Sequence, residues 1–252
     1  MNILVTNDDG IRAPGLKAIV KELSDLGSVY VVAPDSERSA NSHKLTLSGL
    51  LRYEERKMTG ATKAYALWGT PADCVHLGFS FFVKDKIDLV VSGINKGPNL
   101  STDIIYSGTI AAAREAFLYH IPSVALSLAS FTATDFSVTA RYGKEILLKY
   151  LEREDKQNYF LSVNVPGVPE EEIKGIRICD KTIAVHYHDE FTSEEKNGKT
   201  YINIRATQKR SFEESKDLDI DYIAISNNYI SVSALQNEHI DQKYSKKLKE
   251  GF

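Results

Sequence analysis

The sequence contains little cysteine and no long run of apolar residues. Its 252 residues include two cysteines, Cys74 and Cys179, which lie far apart and belong to no Cys-x-x-Cys motif. This spacing excludes a disulfide framework and a cysteine-ligated zinc site, and we expect two free thiols. No segment approaches the roughly 18 consecutive apolar residues that cross a membrane, so we expect no membrane partner. The N-terminus also lacks the basic and apolar regions of a secretion signal, which predicts a cytoplasmic location.

The sequence has no excess of charge of either sign. There are 31 Lys and Arg against 34 Asp and Glu, a formal net charge of -3. Proteins that bind nucleic acid usually carry a basic excess or a basic patch, so we expect no stable nucleic-acid partner. The 42% of hydrophobic residues and 26% of charged residues are ordinary for globular proteins. These values exclude disordered and fibrous classes and predict a sizeable core.

Short apolar runs alternate with segments of helical periodicity in the N-terminal part of the chain. Leu16, Ile19, Val20 and Leu23 have the spacing of one helical face, and Pro14 suits the first turn of that helix. This alternation predicts a doubly wound, mostly parallel α/β sheet with flanking helices. Strands are predicted at residues 2–6, 29–33, 45–53, 65–68, 87–95 and 123–130, and further helices at residues 71–81, 107–120 and 138–151.

The pattern changes after residue 155 to clusters of β-forming residues joined by turns. Strands are predicted at residues 159–165, 176–179, 183–188, 201–206 and 222–234, and the charged stretch 189–200 is predicted to be the tip of a long hairpin. We therefore divide the chain into an α/β core, residues 1–155, and a β-rich extension with an antiparallel hairpin, residues 156–252.

Two adjacent carboxylates, Asp8 and Asp9, follow the first predicted strand. Ligands of open α/β sheets bind beyond the carboxyl ends of the strands, so this loop is a candidate for chemistry. The two charges repel each other, but in a turn relaxed by Gly10 both can converge on one cation. The alternative is that one Asp only caps the turn or the following helix, which is a common role of Asp in such loops.

Two more polar loops follow strands that should share the same edge of the sheet. Ser39 lies after the second strand, and Asn95 lies at the end of strand 87–95. Hydroxyl, amide and carboxylate oxygens without a nearby His or Cys cluster favour Mg²⁺, Mn²⁺ or Ca²⁺ over zinc. His43, in the same loop as Ser39, is a weaker candidate for contact with a substrate.

Ser107, Gly108 and Thr109 open a predicted helix. Free backbone N–H groups, two hydroxyls and a glycine that allows close approach suit a bound phosphate. A plain helix N-cap explains the same residues equally well. The motifs GxxxxGK[ST] and GxGxxG are absent, which argues against a P-loop and a dinucleotide site, and the absence of GxSxG argues against a Ser-His-Asp hydrolase.

Several segments together resemble the SurE family, the survival-protein-E nucleotidases. In chain order they read ILVTNDDGIRAPGLKAI, VVAPDSERSANSHKLTL, WGTPADCVHLG, DLVVSGINKGPNLSTDIIYSGTIAAAREA, SVNVP and LDIDYIAISNNYISVSAL. The resemblance implies a Rossmann-like core, a protruding hairpin and C-terminal exchange between subunits of a homodimer or homotetramer. It also implies metal-dependent hydrolysis of nucleoside 5′- or 3′-monophosphates to nucleoside and inorganic phosphate, with short polyphosphate as a substrate of some members.

The resemblance also assigns site residues. It implies one divalent cation per subunit, Mg²⁺ or Mn²⁺, with Asp8 and Asp9 as the catalytic pair. The cation would be held by Asp8, Asp9, Ser39 and Asn95, and the phosphate side of the site would be formed by Asn99, Ser107, Gly108 and Thr109.

The sequence departs from the family pattern at three places. Ser101 stands where the family commonly has a glycine, and DEFTSEEKNGKT replaces a DPRGR-like element of the hairpin. This second departure leaves the hairpin length, the subunit exchange and the base preference open. Ile220 and Asp221 stand where the family has Thr-Asp, and no role is assigned to them.

The predicted reaction is attack of water on phosphorus in line with the departing ribose oxygen. Asp8 is the better candidate to orient the water while Asp9 holds the cation, but the sequence does not separate these two roles. Ser107 and Thr109 would donate to phosphate oxygens. One alternative, an aspartyl-phosphate phosphatase, requires Asp-x-Asp, whereas this chain has Asn7 before the acidic pair. The other alternative is a sensor module that binds metal and nucleotide but releases no phosphate.

Overall fold

A mixed sheet of nine strands lies at the centre of the computed structural model, which describes residues 1–184, 186–209, 215–237, 245–246 and 248–249. The strands are β1 (Asn2–Thr6), β2 (Ser28–Pro34), β3 (Tyr53–Arg56), β4 (Lys63–Leu67), β5 (Leu89–Lys96), β6 (Ser123–Ala129), β7 (Phe160–Pro166), β8 (Ile176–Ile178), β9 (His186–Lys196), β10 (Lys199–Lys209) and β11 (Ile230–Leu235). Of these, β9 and β10 form a separate antiparallel hairpin.

Six α-helices connect or follow these strands in the described part of the chain. They are α1 (Pro14–Leu23), α2 (Pro71–Leu77), α3 (Asp103–Tyr106), α4 (Gly108–Leu118), α5 (Ser137–Leu151) and α6 (Asp221–Ser226). A π-helical turn, Gly78–Phe82, continues α2, so the predicted helix 71–81 corresponds to these two segments. Within the described ranges, no helix combines the length and the apolar character needed to span a bilayer.

The strand order of the sheet is β3-β4-β2-β1-β5-β6-β7-β11-β8. Strands β4, β2, β1, β5, β6 and β7 are parallel, whereas β3 and β11 run antiparallel to their neighbours β4 and β7. The chain moves from β1 to β2 on one side and later to β5 on the other, so the strand order reverses at β1. Ligands of doubly wound sheets bind at such a switch point, beyond the carboxyl ends of the strands.

Helices cover both faces of the sheet, which confirms the predicted doubly wound α/β class. On one face α1 packs beside α5, and the predicted apolar side of α1 is buried together with Leu147 of α5. On the other face α2 packs beside α4, where Cys74 and Ala112 belong to one buried cluster. These two layers hold the carboxyl ends of β1 and β5 in fixed positions.

Strands β7, β8 and β11 continue the same sheet, so main-chain hydrogen bonds join part of residues 156–252 to the N-terminal strands. The division near residue 155 stays a prediction. The β9–β10 hairpin turns at Asn197 and Gly198, which both have positive φ. The C-terminal segment predicted to exchange between subunits falls largely beyond residue 237, outside the described residues.

Two predicted elements are wrong and a third is right only in part. The stretch 222–234 is not one strand, because α6 and a turn at Asn228, with a φ of 63°, precede β11. The predicted hairpin has its turn inside the charged stretch 189–200, but most of that stretch is paired strand. Residues 45–52 form no strand: Leu47 and Leu50 are exposed, and only the four residues of β3 pair with β4.

Candidate active site

The loop after β1 makes a tight turn at residues 7–10. The Asn7 side chain closes it, since Nδ2 donates to the Gly10 carbonyl at 3.1 Å and Oδ1 accepts the Gly10 N–H at 3.2 Å. Gly10 has a φ of +98°, a conformation that glycine adopts readily. A Cβ there would lie 3.0 Å from the Ser36 backbone carbon, so the turn also packs against the loop after β2. Asp8 and Asp9 are therefore placed beyond the carboxyl end of β1.

Asp8 is bonded to the N-terminus of α4. Its Oδ1 accepts the Thr109 hydroxyl at 2.5 Å and its Oδ2 accepts the Thr109 N–H at 3.2 Å. The side chain is 4% exposed. Burial raises the pKa of Asp8, and the hydrogen bonds from Thr109 lower it part of the way back. The helix thus holds this carboxylate in one orientation.

Asp9 is bonded to the end of β5. Its Oδ2 accepts the Lys96 backbone N–H at 3.0 Å. Burial raises the pKa of Asp9 to about 6, and the negative charge of Asp8 adds to this rise. Two neighbouring carboxylates therefore share a largely buried place in which the charge of Lys96 compensates them only weakly. A divalent cation bound by both would remove this repulsion, so the donor set fits such an ion.

Ser39 and Asn95 supply the neutral oxygens of the predicted cation site. The loop with Ser39 is tied to the acidic turn, because the Arg38 N–H donates to the Asp8 carbonyl at 2.7 Å. The Ser39 hydroxyl donates to Glu37 Oε1 at 2.8 Å. Asn95 lies where β5 shifts register against β6, and its Nδ2 donates to the Gly97 carbonyl at 2.9 Å. That bond leaves the side-chain oxygen of Asn95 for a cation.

The predicted cation ligands include two carboxylates, those of Asp8 and Asp9. Among the described residues, no group of three or more His, Cys, Asp and Glu side chains is arranged to hold a metal. The predicted cation site would therefore need the hydroxyl and amide oxygens as well as the acidic pair.

Asn99 is buried and fully anchored by two residues that sequence reasoning missed. Asn164 on β7 accepts the Asn99 N–H at 2.8 Å through Oδ1 and donates to the Asn99 carbonyl at 3.2 Å through Nδ2. The Asn99 side-chain nitrogen donates to Ser127 Oγ at 2.8 Å. The signal for Asn164 in the sequence was its place in SVNVP, where a polar side chain interrupts a buried strand.

Ser107 is the N-cap of α4, since its Oγ accepts the Ile110 N–H at 3.1 Å. This bond leaves the Ser107 hydroxyl proton free to be donated to a bound anion. Gly108 permits the close approach of helix and acidic turn, because a Cβ there would lie 2.9 Å from Asp8 Cβ. The predicted phosphate contact of Thr109 differs from the observed arrangement: Thr109 is fully buried and both its donors bond Asp8. We therefore assign Thr109 to the positioning of Asp8.

His43 contacts a buried carboxylate instead of the pocket beside Asp8. Its Nε2 lies 2.8 Å from Oε2 of Glu115 on α4, and Ser42 donates its N–H to the Tyr106 carbonyl at 2.9 Å. These bonds fasten the loop that carries Ser39 to the helix that holds Asp8. Sequence reasoning missed Glu115, which with Arg114 makes up the charged residues of α4.

Asp221 is another residue whose role sequence reasoning missed. It is 1% exposed, and its carboxylate accepts the Ser101 N–H and the Ser101 hydroxyl, each at 2.6 Å. Ser101 has a φ of 53°, in the left-handed region that glycine adopts without strain. Asp221 thus holds the loop that runs from Asn99 toward Ser107.

The predicted site residues come together at the carboxyl edge of the sheet. A pocket of about 530 Å³ is lined by residues that include Asp8, Ser39, Asn95, Asn99 and Ser107. Gly108 and Thr109 lie directly behind Asp8, and Asp9 is bonded to Lys96, which also lines the pocket. Acidic oxygens for a cation thus lie next to a helix N-terminus that favours an anion. Such a pair suits hydrolysis of a phosphate ester.

Neither cysteine is placed for covalent catalysis. Cys74 and Cys179 are both buried, and burial raises the pKa of each thiol. A thiolate nucleophile requires the opposite shift and an accessible sulfur.

The sequence model of one protein family matches this chain. It is described as Survival protein SurE and covers residues 3–188. A protein named 5′-nucleotidase SurE from Desulfatibacillum aliphaticivorans is 42% identical over 250 residues, which cover 99% of this chain and 98% of that protein. A protein of the same name from Kosmotoga olearia is 40% identical over 251 residues, again covering 99% of this chain and 98% of that protein.

A solved structure has a similar fold. The crystal structure of the SurE protein from Aquifex aeolicus matches with a TM-score of 0.83 and 36% sequence identity, and the match covers 99% of both chains. The similarity therefore extends over the hairpin and sheet as well as over the candidate site.

Proposed function

This chain belongs to the SurE family, and from that premise we propose that it is a divalent-metal-dependent hydrolase that releases inorganic phosphate from nucleoside monophosphates. Relatives that match almost the whole chain are named 5′-nucleotidase SurE, which supports 5′-nucleotidase activity for this chain. The observation that carries the proposal is the bond between Asp8 and the N-terminus of α4, because it joins the acidic pair to an anion site.

The cation would be held by Asp8, Asp9, Ser39 and Asn95. When bound, an Mg²⁺ or Mn²⁺ ion supplies positive charge to the phosphate oxygens and lowers the pKa of a nearby water. Asp8 is oriented by Thr109, so it accepts a hydrogen bond from the attacking water and keeps that water in line with the departing ribose oxygen. Asp9 faces the end of β5 and contributes the second carboxylate.

The phosphate would be received at the N-terminus of α4. Ser107 donates its free hydroxyl proton to a phosphate oxygen, and the dipole of the 11-residue helix favours the negative charge. Asn99 shapes the opposite wall of the pocket, because Asn164 and Ser127 fix both its backbone and its side chain. These contacts gain strength as charge accumulates on the oxygens in the transition state.

Thr109 offers a test of the positioning of Asp8. The Thr109→Val variant keeps the shape of the side chain but leaves Asp8 without its hydroxyl donor, and we expect kcat to fall by about 10- to 100-fold, as for the loss of ~1.5–3 kcal/mol from a bond to a charged group. The matched control is Thr109→Ser, which keeps the hydroxyl. Steady-state phosphate release gives kcat for both variants. Equal kcat values for Thr109→Val and Thr109→Ser would show that the Thr109 hydroxyl does not position Asp8.

The experiment that tests the function is phosphate release from a panel of nucleoside 5′- and 3′-monophosphates. The purified protein is assayed with Mn²⁺, with Mg²⁺ and after treatment with EDTA. We expect release that EDTA stops and that added metal restores, and the panel ranks the bases and the 5′ and 3′ positions. Short polyphosphate is assayed in the same way. Folded protein that binds nucleotide but releases no phosphate with either metal would favour the sensor module.

A homodimer or homotetramer is also part of the proposal. The β9–β10 hairpin has an apolar side on which exposed Phe191 lies opposite exposed Ile204, with Ile202 two residues along the same strand. A second copy of the chain would cover this surface. Sedimentation of the purified protein measures the number of subunits. We also propose a cytoplasmic location.

A further inference from the structure

Two aromatic side chains stand at the rim of the candidate active-site pocket without a role in the proposed chemistry. Tyr106, the last residue of α3, is 50% exposed, and Phe131, which follows β6, is 68% exposed. Both line the same pocket as Asp8 and Ser107. Exposed aromatic rings beside a polar site present a flat apolar surface to whatever occupies the pocket.

The Phe131 ring is placed against the loop that carries Asn95. A Cβ built on Gly97 would lie 2.5 Å from Phe131 Cε1, so the absence of a side chain at residue 97 makes room for the ring. Gly97 has a φ of +118° and donates its N–H to the Leu128 carbonyl at 2.9 Å. The loop therefore holds the glycine in place against the ring, and most of the ring surface remains open to the pocket.

Tyr106 is fixed from the other side of the pocket. Its carbonyl accepts the Ser42 N–H at 2.9 Å, and the next residue along the chain is Ser107, the N-cap of α4. Its backbone is thus held next to the proposed phosphate site by the same loop that carries Ser39, and its side chain lines the pocket. The pocket therefore has polar oxygens beside Asp8 and Ser107 and two aromatic rings, those of Tyr106 and Phe131, at its rim. This order matches a ligand with a phosphate at one end and a flat ring at the other.

We propose, on the basis of the proposed function, that Phe131 and Tyr106 form the nucleobase subsite. The base stacks on the Phe131 ring, and Tyr106 closes the rim beside the sugar. Stacking requires a π-face but no particular pattern of hydrogen bonds, so the subsite accepts all common bases. Purines present a larger face than pyrimidines and are bound more tightly. The pocket of about 530 Å³ lies within the usual range for small-molecule sites.

The test compares a substrate with a base and a substrate without one. In the Phe131→Ala variant we expect the KM for adenosine 5′-monophosphate to rise about tenfold with little change in kcat, the factor that corresponds to ~1.4 kcal/mol from one stacked base. The KM for ribose 5-phosphate, which has no base to stack, stays at its original value. Tyr106→Ala is expected to shift the KM in the same direction by a smaller factor.

Two further variants separate stacking from a general loss of structure. Phe131→Tyr keeps an aromatic face and is expected to restore the KM for adenosine 5′-monophosphate. Phe81→Ala removes another half-exposed ring, which packs against Tyr53 and Phe82 away from the pocket, and is expected to leave both KM values unchanged.

The outcomes distinguish the subsite from the proposed function. If the unsubstituted protein hydrolyses ribose 5-phosphate in a metal-dependent reaction but both alanine variants keep the original KM for adenosine 5′-monophosphate, the subsite is overturned alone. An equal rise of KM for both substrates would also overturn it. Absence of metal-dependent release from either substrate would overturn the nucleotidase itself, and the subsite with it.

Discussion

Asp9→Asn is expected to reduce phosphate release by about a thousandfold or more, because several kcal/mol of transition-state stabilisation depend on the cation that Asp9 helps to hold. The amide has nearly the same shape as the carboxylate and can still accept the Lys96 N–H through its oxygen. The fold is therefore expected to survive the change. We expect the same loss of activity for Asp8→Asn, but Asp8 also accepts two bonds from Thr109, so Asp9 is the cleaner position.

Stability measurements in EDTA add a second readout for Asp9. The pKa of Asp9 is raised from 3.8 to about 6 in the folded protein, so the folded state binds the proton more tightly than the unfolded state does. The stability that this proton contributes is complete below about pH 4 and is lost as the pH rises through about 6. Asparagine carries no such charge. Without metal at pH 7, the Asp9→Asn variant is therefore expected to melt at a higher temperature than the original protein.

The control for these measurements is Asp180→Asn, which removes an exposed carboxylate outside the pocket. It is expected to leave turnover unchanged. A rate close to that of the original protein in Asp9→Asn would remove this residue from the site. A lower melting temperature of Asp9→Asn in EDTA at pH 7 would contradict the raised pKa of Asp9, which burial and the charge of Asp8 together produce.

Asp221→Ala is expected to lower the free energy of unfolding by about 3 kcal/mol or more. The carboxylate is almost completely buried and accepts the Ser101 N–H, the Ser101 hydroxyl and, at 2.7 Å, the Tyr222 N–H. Alanine leaves these donors without an acceptor, and each buried unpaired donor costs ~1–3 kcal/mol. Denaturant unfolding measured at a fixed pH gives the difference.

Activity should fall together with stability in Asp221→Ala. Without the carboxylate, no bond to Asp221 holds Ser101 at a φ of 53°, and the loop between Asn99 and Ser107 can relax to a less strained conformation. The matched variant is Ser101→Gly, which keeps the backbone donor and the bond to Asp221 while it removes both the hydroxyl and the strain. We expect Ser101→Gly to change the free energy of unfolding by less than about 1 kcal/mol, because the two effects oppose each other. Similar losses in both variants would show that the hydroxyl, not the carboxylate, is the important partner.

Much of the fold was predictable because its strongest signals are local. The runs at β1, β2, β5, β6 and β7 are apolar and short, and α1 and α5 each show one buried face. Ser107 signalled the start of α4 as an N-cap followed by a glycine. The prediction failed where local preference and tertiary context disagree. Tyr222, Ile223 and Ile225 are strand-forming residues, but Asp221 accepts the Tyr222 N–H in the first turn of α6.

The sequence by itself determined which residues meet at the site. Parallel strands end at one edge, so side chains that follow β1, β2 and β5 must lie near one another however far apart they are in the chain. The order of strands and helices therefore predicts Asp8, Asp9, Ser39 and Asn95 at a common edge of the sheet. The roles of these residues stay predictions that the variants above test.

Only the tertiary structure decided which hydrogen-bond donor pairs with which acceptor. Ser101 and Asp221 are 120 residues apart, Asn99 and Asn164 are 65 apart, and Asp8 and Thr109 are 101 apart. Hydrogen bonds depend on distances and angles within a few tenths of an ångström, which no spacing in the sequence encodes. The packing of α4 against β5 and β6 placed Thr109 beside Asp8, and the place of α6 beside the loop made an unassigned aspartate its anchor.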